Sequence, residues 1–349
     1  TKTSPAMNTA TAPATARPAA HEALIWVRAA NYGQTYTVNI NGTQATVQTA
    51  VAPVVTSGST VTENRISSAE IAQNLITGLG SISGVTLARN GSVIHVTSNS
   101  AITISATDAR ANADITAILS QVQAFTELPT IAPQGYQVEI TGDPGNNFDG
   151  YYVEFTPNSG TFGEGTWSET VSPGVEYQIN NTTMPHLLVR LPNGNFHFGP
   201  ADGSTQGGIT IPSWGNRVAG DYITSPDPSF IGNPINDIFI YKNRLGFLAD
   251  ENVILSRVRE FYEFFPETVT TVLDTDPIDV VASNNRVSVL RYAVPYQDEL
   301  ILFSPQYQFR FNAAETVLTP ATAQITVLTQ FEVDVDVRPQ RLCPAMFSS

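Results

Sequence analysis

The 349-residue sequence predicts a mainly β chain carrying an inserted α/β module, the β part built of antiparallel, propeller-like blades that do not close a full circle. Three observations lead there. The stretch Ile235 to Pro266 (INDIFIYKNRLGFLADENVILSRVREFYEFFP) holds three short β-prone runs, IFIY, LGFL and VIL, separated by the turn-rich pieces KNR and ADEN. ENVILSRVREFYEF (Glu251 to Phe264) is partly echoed by DELILFSPQYQFRF (Asp298 to Phe311), with Ile254/Ile301, Leu255/Leu302 and Phe264/Phe311 in register at an offset of 47 residues. Four-stranded blades recur at about 40–50 residues, so the offset fits a propeller, and so few blades fit an incomplete one. Finally, a single clear amphipathic helix pattern occurs in the whole chain, between Ser67 and Gly80.

Taken in order, residues 1–21 are a Thr/Ala/Pro-rich stretch without periodicity, read as linker. Residues 22–126 form the α/β module. ALIWVRAA and TYTVNI read as strands, and Asn41-Gly42 is a two-residue hairpin signal leading into ATVQTAV. In the helix, Ser67 and Glu70 make a capping box, Ile71, Leu75 and Leu79 line one face, and Gly80 is a stop. VTLAR and VIHVTS flank Asn90-Gly91, a second hairpin signal, so a small sheet with a helix over one face is expected. Asn112 to Leu119 reads as a second short helix. Residues 127–234 are β-rich with long loops (YQVEI, YYVEF, WSETV, EYQI, HLLVR), residues 235–335 are the blades, and residues 336–349 (DVRPQRLCPAMFSS) read as an irregular or truncated end.

The composition is that of folded cores: 42% hydrophobic and 14% charged residues. No run of about 18 apolar residues is present and no signal-peptide pattern opens the chain, so no membrane insertion is expected. Cys343 is the sole cysteine, which excludes an internal disulfide and a cysteine-based zinc site. The net charge of −14 is uneven: residues 1–126 carry six Lys/Arg against five Asp/Glu, and residues 127–349 carry eleven against twenty-six. General DNA binders neutralise phosphates with Lys and Arg, and the second part has the wrong sign for that.

No enzyme signature is present. G-x-S-x-G, G-x-G-x-x-G, the P-loop and H-E-x-x-H are all missing, and the lysines are Lys2 and Lys242 alone. His21, His95, His186 and His197 lack metal-ligand spacing and read as structural or surface residues. GDPGNNFDG (Gly142 to Gly150) has a superficial calcium-loop look, but the register that suits Asn147 and Asp149 puts Gly145 at the first ligand position, which favours a hairpin loop. Asp274, Asp276 and Asp279 could supply an acid/base pair for glycoside hydrolysis; a polar turn before a strand starting at Pro277 is the simpler reading. REFYEFF (Arg259 to Phe265) reads as alternating burial in a blade rather than a sugar-stacking platform. No cofactor is implied.

The run NRLGFLADENVILSRVREFYEFFP, followed by DTDPIDVVASNNRVSVLRYAVPYQDELILFS, resembles the central region of the tail tubular protein B family, the nozzle proteins of short-tailed bacteriophages. LPTIAPQGYQVEITGD, YYVEF, TMPHLLVR and ANYGQTYTVNING extend the resemblance over roughly Leu24 to Val333. It implies a non-enzymatic structural protein of the virion tail, made in the host cytoplasm. It further implies a homo-oligomer, a six-fold ring around the DNA exit channel that guides double-stranded DNA during ejection, with the tail adaptor (tail tubular protein A) and tail fibres as partners. Residues 22–126 would then be a lateral, fin-like domain inserted into the propeller, and the linker would normally follow an N-terminal β region. Beyond Val335 the family pattern is not continued, and a truncated or frame-shifted end is expected there. An acidic lumen would let DNA slide without sticking. Lys242, Arg244, Arg257 and Arg259 are the exception in the acidic part: candidates for transient DNA-channel or subunit-interface contacts, or a surface network with Glu251, Glu260 and Glu263. Two readings from other classes stand beside this one. One is a virion-associated polysaccharide-degrading enzyme using a carboxylate pair; the other is a carbohydrate-binding adhesin, suggested by abundant Ser, Thr and Asn.

Overall fold

The computed structural model describes residues 4–9, 11–12, 21–51, 66–142, 150–282, 288–313 and 317–339. The chain divides into two compact units, Thr15–Thr170 and Thr1–Ala14 with Val171–Ser349. The first strand, β1 (Thr11–Ala12), belongs to the latter.

The unit of residues 15–170 holds β2 (Glu22–Val27), β3 (Thr35–Ile40), β4 (Thr43–Gln48), α1 (Ser68–Leu79), β5 (Val85–Asn90), β6 (Val93–Ser98), β7 (Ile104–Asp108), β8 (Ile115–Ile118) and β9 (Gln121–Val122). It continues with β10 (Ile131–Pro133), β11 (Gln137–Ile140), β12 (Tyr151–Pro157) and β13 (Phe162–Thr170). Three sheets result, ordered β5-β6-β2-β8, β4-β3-β7 and β10-β13-β12-β11-β9. β2 explains their stacking. Ala23, Ile25 and Val27 face Ile71, Leu75 and Leu79 of α1, whereas Leu24 joins Tyr136, Val138 and Phe155 in a second core. Both faces of the strand are apolar, so the sheet is covered by the helix on one side and by β9–β13 on the other, not on one face alone. Each such side chain contributes about 1.5–3 kcal/mol on burial.

The helix starts after Ser67 and ends at Gly80 (φ +61°), but the Ser67 side chain makes no cap hydrogen bond, so the capping box does not form. The first hairpin turns at Asn41-Gly42, both with positive φ. The second turns one residue later than its Asn-Gly signal: Asn90 pairs with Val93, leaving Gly91-Ser92 as the loop. The expected helix at Asn112 to Leu119 is instead a turn and strand β8, paired with β2. Its ITAI pattern mimics helical spacing because both strand faces are buried, Ile115 in the helix-side core and Ile118 in the other. Asp108 fixes the preceding turn by accepting the N–H groups of Arg110 (2.7 Å), Asn112 (2.8 Å), Asp114 (2.7 Å) and Ile115 (3.1 Å).

In the second unit, residues read from composition as linker form structure. Residues 4–9 and 11–12 run along β14 (Val175–Glu176) and its continuation: Thr11 pairs with Glu176, Met7 bridges Ile179, and Asn8 N–H donates to the Gln178 carbonyl at 2.8 Å. Ladder bonds use the backbone, so a stretch without side-chain periodicity can still pair. Two hairpins follow, β15 (Leu187–Arg190) with β16 (Phe196–Gly199), then β17 (Thr205–Gln206) with β18 (Ile209–Thr210).

Two four-stranded antiparallel sheets complete this unit. β19 (Ile235–Tyr241), β20 (Arg244–Ala249), β21 (Asn252–Leu255) and β22 (Ile278–Val281) are consecutive neighbours, as are β23 (Tyr292–Tyr296), β24 (Glu299–Phe303), β25 (Gln308–Ala313) and β26 (Ala323–Thr329). Leu248, Val253 and Leu255 of the first pack with Leu300, Leu302, Phe309 and Phe311 of the second. On the opposite face Phe247, Ala249 and Ile254 meet Trp214, Phe230, Phe264 and Phe265. The 47-residue echo does not align the two sheets: Ile254 lies on a third strand and Ile301 on a second, while Phe264 lies outside any strand and Phe311 on β25. Equivalent places are instead the first hairpin turns, Lys242-Asn243 and Gln297-Asp298. No helix among the described residues is long and apolar enough to cross a membrane.

Candidate functional site

The four cations singled out in the acidic part converge on the β19–β20 hairpin and the loop after β21. Lys242 and Asn243 form the hairpin turn, and the Asn243 carbonyl accepts the Arg259 N–H at 2.8 Å, which ties that loop to the turn. Their environments differ sharply. Arg244 is fully buried; Nη1 donates to the carbonyls of Ser256 (2.7 Å) and Asp276, and Nη2 to that of Asp274 (2.9 Å). Burial brings its pKa down to about 10, against an opposing pull from Asp276, so it stays a cation at neutral pH. This arginine organises the loop from β21 to β22 and presents no surface to a ligand. Arg257 pairs with Glu260 at 2.9 Å and with Glu267. Lys242 pairs with Asp298 at 3.2 Å. Arg259 is exposed, with φ +64°. Of the expected local partners Glu260 is used, whereas Glu251 accepts from the Ser288 N–H and Glu263 is packed against Gly215.

The three aspartates are scaffolding. Asp276 is buried and its Oδ2 accepts the Leu273 N–H at 2.7 Å; Asp279 accepts from the Ser229 N–H at 2.7 Å and from Asn252 Nδ2 at 2.9 Å. Asp274 is exposed and takes part through its carbonyl. A cavity of about 320 Å³, walled by Pro226, Pro228, Pro266 and Pro277, borders Asp276 and Asp279. Asp279 is held by a backbone and an amide donor, whereas Asp276 has the Leu273 N–H on Oδ2 and a buried Oδ1 without a hydrogen-bond partner among the described residues. REFYEFF does not alternate along a strand: it is a turn segment in which Phe264 and Phe265 are buried consecutively, Phe264 stacked on Phe247 at 5.0 Å.

His95 packs inside the unit of residues 15–170, 3.0 Å from Glu22 and edge-on to Tyr136 and Phe162. His186 stands against Phe198 on the β15–β16 hairpin, which also carries His197. Among the described residues, no group of three or more His, Cys, Asp or Glu is placed to hold a metal ion. The calcium-like loop, the C-terminal stretch from 340 and Cys343 lie outside the described residues.

Two ion pairs, each with one buried partner, carried no sequence signal. Arg217, fully buried, pairs with Asp227 at 2.5 Å, donates to the Ser225 carbonyl at 2.8 Å and lies under the ring of Phe265. Arg338 pairs with Asp237. The partner of Arg217 lies ten residues on across an irregular loop and that of Arg338 lies 101 residues back, so only the tertiary fold reveals the pairs.

A β-rich chain whose carboxylates and cations serve packing and turns has the character of a structural protein. The chain belongs to the bacteriophage nozzle protein family, whose model matches residues 1–347; this is a family of structural tail components of the virion, not of enzymes. It is 36% identical over 321 residues to the protein named tail tubular protein gp12 of Escherichia phage T7, an alignment covering 91% of this chain. The chain spans 38% of that relative's length.

Proposed function

We propose that the chain forms part of the wall of a tail nozzle. Copies assemble as a ring, six-fold by family resemblance, around the DNA exit channel, join the tail adaptor and tail fibres, and guide DNA during ejection. In this reading the two four-stranded sheets are propeller blades and residues 22–126 are a fin-like insertion. The family match along the whole chain carries the proposal.

The charge arrangement supports it. In the acidic part Arg217, Lys242, Arg257, Arg310 and Arg338 each pair with a carboxylate, and Arg244 is buried on carbonyls. Cations neutralised in this way are poor partners for phosphates, which suits a conduit that must not retain DNA. The exposed Arg259 remains the candidate for brief channel contacts, and the paired Lys242 and Arg257 for subunit contacts. Immunogold electron microscopy of phage particles, with an antibody raised against residues 22–126, tests the assignment. Label is expected at the lower tail tube; protein-positive particles labelled elsewhere would refute it.

A further inference from the structure

Apart from Tyr32, Val51 and Phe125, the exposed large apolar side chains among the described residues fall in the unit of residues 1–14 and 171–349. The β15–β16 hairpin concentrates them: Leu188 is 67% exposed, Phe196 64% and Phe198 70%. Leu188 pairs across the ladder with Phe198 and Arg190 with Phe196, so alternation sets these four on one face. The hairpin is a two-stranded sheet with no third strand, a form that is marginal in water unless its apolar surface is covered. Leu187, on the other face, packs on the core around Trp214 and Phe247; among the described residues the Phe196/Phe198 face meets no core cluster and has the His186 ring edge-on to Phe198.

Charge indicates what can approach. Residues 181–213 contain Arg190 and Asp202 as their only Lys, Arg, Asp or Glu, a neutral stretch in a chain of net charge −14. Two such chains repel except where local charge is absent or compensated. The hairpin face meets that condition and offers the exposed Arg190 to a carboxylate. A complementary strip exists in the same unit. On edge strand β19, Ile238 and Ile240 are exposed, opposite Phe247 and Leu245, so they extend the Trp214/Phe247 core face beyond its covered part. At the end of this strip Lys242 pairs with Asp298 at 3.2 Å, so the charge there is compensated as well.

We propose that the Leu188/Arg190/Phe196/Phe198 face of one copy docks on the Ile238/Ile240 strip of a second copy, deepening the ring reading on which it rests. Two different surfaces meeting in this way give a head-to-tail contact, the kind that closes into a ring or continues as a filament.

The test uses the full-length protein, with Phe196→Asp/Phe198→Asp compared with wild type by sedimentation velocity. Exposed positions should leave the fold intact, which circular dichroism checks, and the association constant should fall at least about tenfold. Independently, a Cys343→Ser background carrying Phe198→Cys and Ile240→Cys should form intermolecular disulfides on oxidation, while either cysteine alone should form far fewer. Unchanged association together with no pair-specific cross-link overturns the docking face and leaves the ring reading standing. A wild type that stays monomeric at every concentration removes the ring reading itself. Flotation of wild type, but not the Asp variant, on anionic phospholipid vesicles with unaltered self-association would assign the face to lipid and overturn the proposal.

Discussion

Arg338 places both terminal guanidinium nitrogens on the carboxylate of Asp237, at 2.7 and 3.0 Å. The same carboxylate accepts the N–H of Ala293 at 2.9 Å and of Ile238 at 3.0 Å, so one side chain joins β19, β23 and the segment after β26. Asp237 is 5% exposed and Arg338 48%. The penalties of breaking the pair should therefore be unequal. Asp237→Ala strands a buried N–H and should cost roughly 2–4 kcal/mol, whereas Arg338→Ala, losing a half-exposed partner, should cost about 1 kcal/mol. Urea unfolding of both variants measures this; equal costs would mean that Asp237 acts solely through the arginine.

The β19–β21 meander was legible because its turns need residues that tolerate positive φ, and Asn243 and Asp250 supply them between apolar runs. The helix was legible from Ile71, Leu75 and Leu79. β8 was not, because a strand buried on both faces loses the alternation that distinguishes it from a helix. The 47-residue echo misled because an Ile-Leu pair suits both β21, buried on both faces, and β24, which alternates buried and half-buried residues, whatever the strand's rank in its sheet. Arg244 looked like one of four surface cations, since a sequence carries no sign that four carbonyls will converge on one guanidinium. The Asp279 carboxylate likewise looked available until the fold supplied its donors, the Ser229 N–H and Asn252 Nδ2.

Arg244 gives the second prediction. Replacing it by Met leaves the carbonyls of Ser256, Asp274 and Asp276 without their donor, at a cost of roughly 3–5 kcal/mol. Lysine should not rescue it, since a single ammonium cannot reproduce the fork of donors. Thermal unfolding of Arg244→Met and Arg244→Lys checks both statements. A Lys variant with wild-type stability would show that charge alone suffices.

Asp108 carries the third. Its burial favours the neutral acid, but the N–H groups of Asp114, Arg110, Asn112 and Ile115 outweigh that and hold its carboxyl below the ordinary range. A depressed folded pKa gives stability that is present at neutral pH and lost as pH falls through the folded value. Asp108→Ala should cost about 1–3 kcal/mol at neutral pH and less in acid. A cost independent of pH would show that the carboxylate charge is irrelevant to the turn.

Glu263 titrates in the opposite sense. Its carboxyl packs where any side chain on Gly215 would have to go, and burial raises its pKa, with Arg257 lowering it and Glu260 raising it further. The folded state therefore holds the proton more tightly than the unfolded chain, and stability falls as pH rises from the ordinary carboxylate range through the raised value. Glu263→Gln keeps the shape without the charge. The variant should gain on wild type as pH rises through that window and hold a constant advantage above it, because there wild type carries a poorly solvated anion. Denaturant midpoints from about pH 4 to pH 8 would show this. A difference that is flat across the range would mean that the nearby Arg257 fully compensates burial.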